Sequence, residues 1–225
     1  MSEWWTYSLS DFLLFSPRTY HRLFELYNEA VWPAHIAAAA LAIAIMVSIR
    51  RNDGRTVAAI LAIVWLWNAW AFHLDRYATI NWAAVYFAAA FVLQALLLLW
   101  TGVVRDALDL SSRSRTGITL FAFALVIQPA IALLVGRPWT QSEIFGLAPD
   151  PTAIATLGIL LLARRPQWHA LAIPLLWCIV TGLTLWTMED PGALLSPMAA
   201  ALAFALAAWK TLAPSRKPRD ESHRG

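Results

Sequence analysis

Residues 82–104 read WAAVYFAAAFVLQALLLLWTGVV, and Arg105 follows at once. No charge interrupts the run, a single amide, Gln94, sits near its middle, and an indole stands towards each end, Trp82 and Trp100. A helix needs about 20 mostly apolar residues to cross roughly 30 Å of hydrocarbon. Indoles prefer the two interfaces, and arginine marks the cytoplasmic side. This one stretch therefore predicts a membrane-spanning helix that enters at Trp82 and leaves at Arg105.

Working outward, six similar intervals appear, at 31–49, 56–74, 117–135, 148–163, 168–188 and 193–212. Within hydrocarbon each backbone group must find its partner inside its own segment, so all seven are read as helices. The totals agree. Of 225 residues, 60% are hydrophobic and only 14% charged, with mean hydropathy +0.57. Soluble domains run near 45–50% apolar and about 25% charged. The composition excludes a soluble globule, a disordered chain and a nucleic-acid-binding domain. The one cysteine, Cys178, excludes an internal disulfide and any CxxC metal site.

The basic residues test the threading. Placing the loops alternately on two sides puts 13 of the 17 on one side and four (Arg18, Arg22, Arg76, Arg137) on the other. A missed or false helix would scramble that split. The expected fold is an all-α bundle of seven transmembrane helices, with the amino terminus outside and the carboxyl terminus in the cytoplasm. Trp32, Trp82, Trp139 and Trp186 fall at outer helix ends and Trp100, Trp168 and Trp209 at inner ends, where indoles anchor. Lys210, at the inner end of the last span, reads as a snorkelling anchor. The division follows: residues 1–30 an outer amphipathic segment, 31–213 the bundle, and 214–225 a charged cytoplasmic tail expected to be disordered.

Residues 16–31, SPRTYHRLFELYNEAV, are amphipathic rather than spanning. Ser16 suits an N-cap and Pro17 the first helical position. Tyr20, Leu23, Phe24, Tyr27 and Val31 form one stripe, with the charged residues opposite. The pattern predicts a helix lying in the outer interface, as an anchor or as a lid over an outer pocket.

Polar residues are unevenly placed. The middle of the membrane carries only neutral ones, Asn68, Gln94, Gln128 and Thr181, expected to bond between helices. That pattern argues against an acidic proton relay and against a retinal protein. The outer side carries nine acids against four bases, and His21, His35 and His73 as well. An acidic surface concentrates cations. His21, Glu25 and Glu29 recur every four residues. Trp70, His73 and Tyr77 share a helical face by spacing, with Arg76 and Asn81 close behind. Imidazoles with carboxylates suit a transition metal. His21, Glu25, Glu29, His35 and His73 are therefore the metal candidates, although no HExxH-type motif supports them.

The fifth span is short. Asp150 suits its N-cap and Pro151 its first residue. Helix from Pro151 to Ala163 reaches only about 20 Å at 1.5 Å per residue. Residues 144–149 must fill the remainder as irregular backbone, which hydrocarbon tolerates only when protein buries it or a wet cavity adjoins it. A short, proline-interrupted span points to a binding site. The expectation is an outer recess at the head of this helix, whose N–H groups favour an anionic or carbonyl oxygen. His35, Trp70, His73, Arg76, Tyr77, Asn81, Arg137 and Glu143 are its candidate ligand-binding residues.

Four strings carry a resemblance: SLSDFLLFSPRTYHRLFELYNEAVWP (8–33), WLWNAWAFHLDRYATINWAA (65–84), EIFGLAPDPTAIATLGILLLA (143–163) and PLLWCIVTGLTLW (174–186). Through them the chain resembles a bacterial domain-of-unknown-function family of small, Trp-rich multi-pass membrane proteins, over nearly all its length except the tail after Pro214. The resemblance implies a bacterial inner-membrane location and brings no catalytic residue. Three functions stay open. The first is a permease-like or small-ligand-binding protein taking a small solute or cation. The second is a redox subunit or enzyme holding haem or a metal through His35 and His73. The third is an accessory subunit without chemistry of its own, whose alanine-rich helices pack on a membrane partner or a second copy.

Overall fold

The computed structural model describes residues 15–112 and 114–212. The first 14 residues, Arg113 and the expected cytoplasmic tail at 214–225 lie outside them. The described residues form helices and connecting turns, without a strand. Helix α1 spans Pro17–Ala30 and α2 spans Ala34–Arg50, and the two axes meet at 89°. Helix α3, Gly54–Trp67, runs on as a π-helical turn, Asn68–Leu74. Helix α4, Ala84–Leu98, continues likewise through Leu99–Val104. Helices α5, Arg115–Ala122, and α6, Gln128–Leu134, are joined by a third wide turn at Phe123–Ile127. Helices α7, Pro149–Leu160, α8, Trp168–Thr187, and α9, Leu195–Leu212, complete the chain.

Local chemistry starts α1 where the sequence predicts, and caps α3 with a residue it did not single out. Ser16 Oγ accepts from Thr19 N at 3.2 Å and Asp53 Oδ1 from Thr56 N at 3.0 Å. Each satisfies one of the unpaired donors at a helix start.

Five helical runs are long and apolar enough to cross a membrane: Gly54–Thr79, Ala84–Val104, Arg115–Leu134, Trp168–Thr187 and Leu195–Leu212. Counting the bent pair α1 and α2 as one gives six. The five match the second, third, fourth, sixth and seventh expected spans. The first expected span is α2, with 17 residues. The fifth is α7, with 12.

Helix α7 is the centre of the molecule. It packs against α3, α5, α8 and α9, and every residue from Phe145 to Ala163 is buried. Two glycines let α5 and α7 cross with their backbones nearly touching. A Cβ on Gly117 would stand 2.7 Å from Gly158 O, and one on Gly158 2.7 Å from Gly117 O. Small residues at a crossing allow this approach.

Lys210 is more than a snorkelling anchor. Its Nζ turns back from α9 and donates to Leu161 O at 2.5 Å, Ala163 O at 3.1 Å and Ser112 Oγ at 2.8 Å. A cation thus caps the carbonyl end of α7, where the helix dipole favours it. The start of α7 also departs from the sequence expectation. The helix begins at Pro149, with Ala148 as N-cap, so Asp150 falls inside the first turn and its side chain is free for another task.

The apolar stripe of α1 is spent on protein rather than left for lipid. Tyr20, Leu23, Phe24 and Tyr27 are buried in one cluster with Phe72, Tyr77, Leu147 and Ala148. Asn28 Nδ2 donates to Thr140 O at 2.8 Å and Ser142 O at 2.9 Å, and Tyr27 Oη donates to Leu147 O at 3.1 Å. Helix α1 therefore roofs the end of the bundle where α7 begins.

Candidate functional site

Under that roof lies a cleft of about 30 Å³. Helix α1 contributes His21, α6 Gln128, the segment before α7 Arg137, Gln141 and Glu143, α7 itself Asp150, and the α8–α9 turn with the start of α9 Asp190 and Ser196. A cavity needs about 10–15 Å³ to hold one water molecule. The space suits a few water molecules or a small ion.

Asp150 is the best-anchored group. Its Oδ1 accepts from Trp177 Nε1 at 2.7 Å and Thr181 Oγ1 at 2.8 Å, and its Oδ2 from Ser196 Oγ at 3.2 Å. Three neutral donors from α8 and α9 hold this buried carboxyl at the head of α7. On the facing side, Arg137 Nη1 donates to His21 Nδ1, and His21 Nε2 lies 3.0 Å from Asp190 Oδ2. Arginine cannot accept, so Nδ1 is the acceptor and Nε2–H the donor towards Asp190. The hydrogen bond from His21 holds the Asp190 carboxyl below its ordinary value. Glu143 stands apart, with only a long 3.4 Å contact from Gln128 Nε2 among the described residues. Loss of water raises its carboxyl well above the usual range, and the neighbouring charge of Asp150 adds to the rise. Gln128 Oε1 and Arg137 Nε have no partner among the described residues. With three carboxyls against one guanidinium and one imidazole, the cleft has an excess of oxygen acceptors. It suits a cation or a hydrogen-bond donor, not the anion expected at a bare helix start.

The loop that completes the short helix is sealed rather than wet. Gly146 takes a left-handed φ of +83°, where glycine is unhindered. Its N–H donates to Thr152 Oγ1 at 2.9 Å and its carbonyl accepts from Asn68 Nδ2 at 3.1 Å. Phe145, Leu147 and Ala148 are buried with it. Protein thus buries the irregular backbone, and the cleft opens beside it.

Of the residues singled out from sequence, Arg137, Glu143 and His21 meet in this cleft. The others do not. His73 is fully buried, with Phe91 at 4.4 Å and Trp177 at 5.0 Å between ring centres, and neither ring nitrogen has a partner among the described residues. Its ring packs on Trp177, whose indole N–H donates to Asp150. Trp70 is 62% exposed. His35 Nε2 lies 3.3 Å from Asn28 Oδ1, and its ring lies against Trp32. Tyr77 joins the aromatic cluster beneath α1. Arg76 pairs with Asp75 at 2.9 Å, and Asn81 Oδ1 accepts from Ala83 N at 3.0 Å at the approach to α4. The metal candidates part company as well. Glu25 pairs with Arg22 and accepts from Gln141 Nε2 at 3.1 Å, while Glu29 is exposed. Among the described residues no three His, Cys, Asp or Glu side chains are placed to hold a metal ion.

By sequence, Asp150 reads as a cap and Gln128 and Thr181 as interhelical bonds, and the candidate site does not include Asp190, Trp177 or Ser196. The available signal was the acidic turn Glu189–Asp190 opposite the broken span.

A helical protein rich in apolar helices, with an acid-lined cleft under a helical roof at one end, is the class this geometry defines. The chain belongs to the family of unknown function DUF6064, whose model matches residues 18–217. No curated protein and no solved structure matches it.

Proposed function

We propose that this is a seven-pass protein of a bacterial inner membrane, permease-like, that binds a small cationic solute in a cleft facing the periplasm. The observation that carries the reading is the acid-lined cleft at the head of α7. Buried ionisable groups in a membrane protein are costly and mark solute or ion paths. Here three carboxyls share a cavity at a broken span, which is where membrane binding sites form. In this reading Asp150 is the fixed acceptor, Glu143 the acceptor that exchanges a proton for the solute, and the Arg137–His21–Asp190 chain the wall that keeps the roof in place.

The topology draws support from the surface. The seven tryptophans assigned to helix ends, Trp32, Trp82, Trp100, Trp139, Trp168, Trp186 and Trp209, are all exposed, and Trp65 is buried. Side chains such as Ile43, Ile63, Leu93, Leu96, Val126, Ile179 and Leu183 are exposed along the helices. So broad an apolar surface suits lipid rather than water. The 17-residue α2 and the enclosed α7 complete the odd number of crossings that the arginines require.

The test uses purified protein in detergent and in proteoliposomes, challenged with sodium, potassium, ammonium and methylammonium. At least one of these should raise the unfolding temperature and accumulate in the vesicles, and Glu143→Gln should abolish both effects. If none of them stabilises the protein or moves, or if Glu143→Gln responds like the parent, the reading is wrong.

A further inference from the structure

The opposite end of the bundle carries a second cleft, of about 440 Å³, lined by Thr101, Arg105, Asp109, Arg164, Arg165 and His169 among others. It lies between the wide turn ending α4, the segment that follows it, and the link from α7 to α8. Its walls are fixed. Arg164 N donates to Asp109 O at 2.7 Å, and Thr101 Oγ1 lies 2.6 Å from His169 Nε2. The start of the 20-residue α8 borders it through Gln167 and His169.

The charge in this cleft is lopsided. Three guanidinium groups face one carboxylate. Asp109 Oδ1 already accepts from Ser111 N at 3.0 Å and Asn52 Nδ2 at 3.3 Å. Among the described residues, Arg105, Arg164 and Arg165 make no ion pair with a carboxylate. A positive-inside signal needs arginines on one side of the membrane but does not require them to converge on a cavity. Arg50 and Arg51, exposed at the same end, are not among the residues that line it. Guanidinium forks match phosphate oxygens in pairs, and basic pockets between helices on the cytoplasmic side take lipid headgroups.

We propose that this cleft binds a phosphate-bearing anion, held by Arg105, Arg164 and Arg165 at the start of α8. The ligand chemistry is a phosphate mono- or diester, supplied either by an anionic phospholipid or by a free phosphate compound. The cleft is at the other end of the bundle from the acidic one, so the two readings stand or fall separately.

The experiment uses the full chain in nanodiscs of phosphatidylcholine, with or without phosphatidylglycerol, and native mass spectrometry after gentle release. Inorganic phosphate is titrated in the phosphatidylcholine discs with unfolding temperature as the readout. The cleft variant is Arg105→Gln with Arg165→Gln. The control is Arg50→Gln with Arg51→Gln, which removes equal charge from the same end. Retained phosphatidylglycerol that falls about tenfold in the cleft variant but not in the control identifies a lipid headgroup. Stabilisation by phosphate with the same pattern identifies a free phosphate ligand. Equal losses in both variants, or no retention and no stabilisation in the parent, overturn the proposal.

Discussion

Glu143 is the residue on which the acidic cleft turns. Asp150 has three donors and Asp190 has an imidazole, whereas Glu143 has one long contact from an amide. Its folded-state affinity for a proton is raised, first by lost hydration and then by Asp150, with Arg137 opposing. For a carboxyl shifted upwards, the stability it contributes is complete below its unfolded value and is lost as pH rises through the raised one. Asp190, shifted downwards, behaves inversely and loses its contribution as pH falls. Scanning from about pH 3 to about pH 9 should therefore show the unfolding temperature falling as pH rises from about 5 to about 8, and an acid limb below about pH 4. Glu143→Gln should flatten that fall and leave the acid limb in place, and an unchanged alkaline slope would remove Glu143 from this role. At this scale the sequence was partly legible. Arg137 and Glu143 stand out as charges just ahead of a broken span. Trp70, His73 and Tyr77 mislead because spacing arguments assume 3.6 residues per turn. The segment Asn68–Leu74 is π-helical, and its wider i→i+5 turn sends His73 into the core while Trp70 stays on the surface.

At the scale of the element, α7 shows what fixes a helix too short to span. Its 12 residues cover about 18 Å at 1.5 Å per residue. The remaining depth is made up by the loop locked around Gly146 at one end and by the Lys210 cap at the other. Lys210 donates to two backbone carbonyls and a hydroxyl from a half-buried position. Lys210→Met should therefore destabilise the protein by about 2 kcal/mol, the usual scale for losing charged hydrogen bonds, as read by chemical or thermal unfolding in detergent. A change below about 0.5 kcal/mol, the range of ordinary surface substitutions, would return Lys210 to the status of a simple anchor. The shortness of α7 was legible from Pro149, Pro151 and the arginine pair after Ala163. The role of Lys210 was not, because the contact joins residues 47 to 49 positions apart and no local pattern announces it. The stripe of α1 was legible as a stripe, but its partner was not. Tyr20 and Phe24 suit lipid and the aromatic cluster around Phe72 equally well.

The whole molecule sorts its charges by end. The end with α1 and the acidic cleft collects carboxyls, and the far end collects Arg50, Arg51, Arg105, Arg164 and Arg165. The proposed topology predicts that reporters fused to the two termini fall in different compartments, with the amino-terminal one periplasmic. Alkaline phosphatase and green fluorescent protein fusions check this directly. Both termini in one compartment would mean an even number of crossings and would detach the cleft from the periplasm. Five spans were legible from hydropathy alone. The standing of α2 and α7 was not, because composition records how apolar a helix is but not whether its neighbours are lipid or protein.

Every residue of α7 touches other parts of the same chain. For this helix the surrounding protein replaces the bilayer as solvent, which is why Asp150, Thr152 and Thr156 can occupy it. In the proposed seven-pass topology such a segment has little reason to enter lipid on its own. That topology then predicts that it waits for α8 and α9 to close the ring around it, so that the centre of the molecule is assembled late, as a peg enclosed by its own walls.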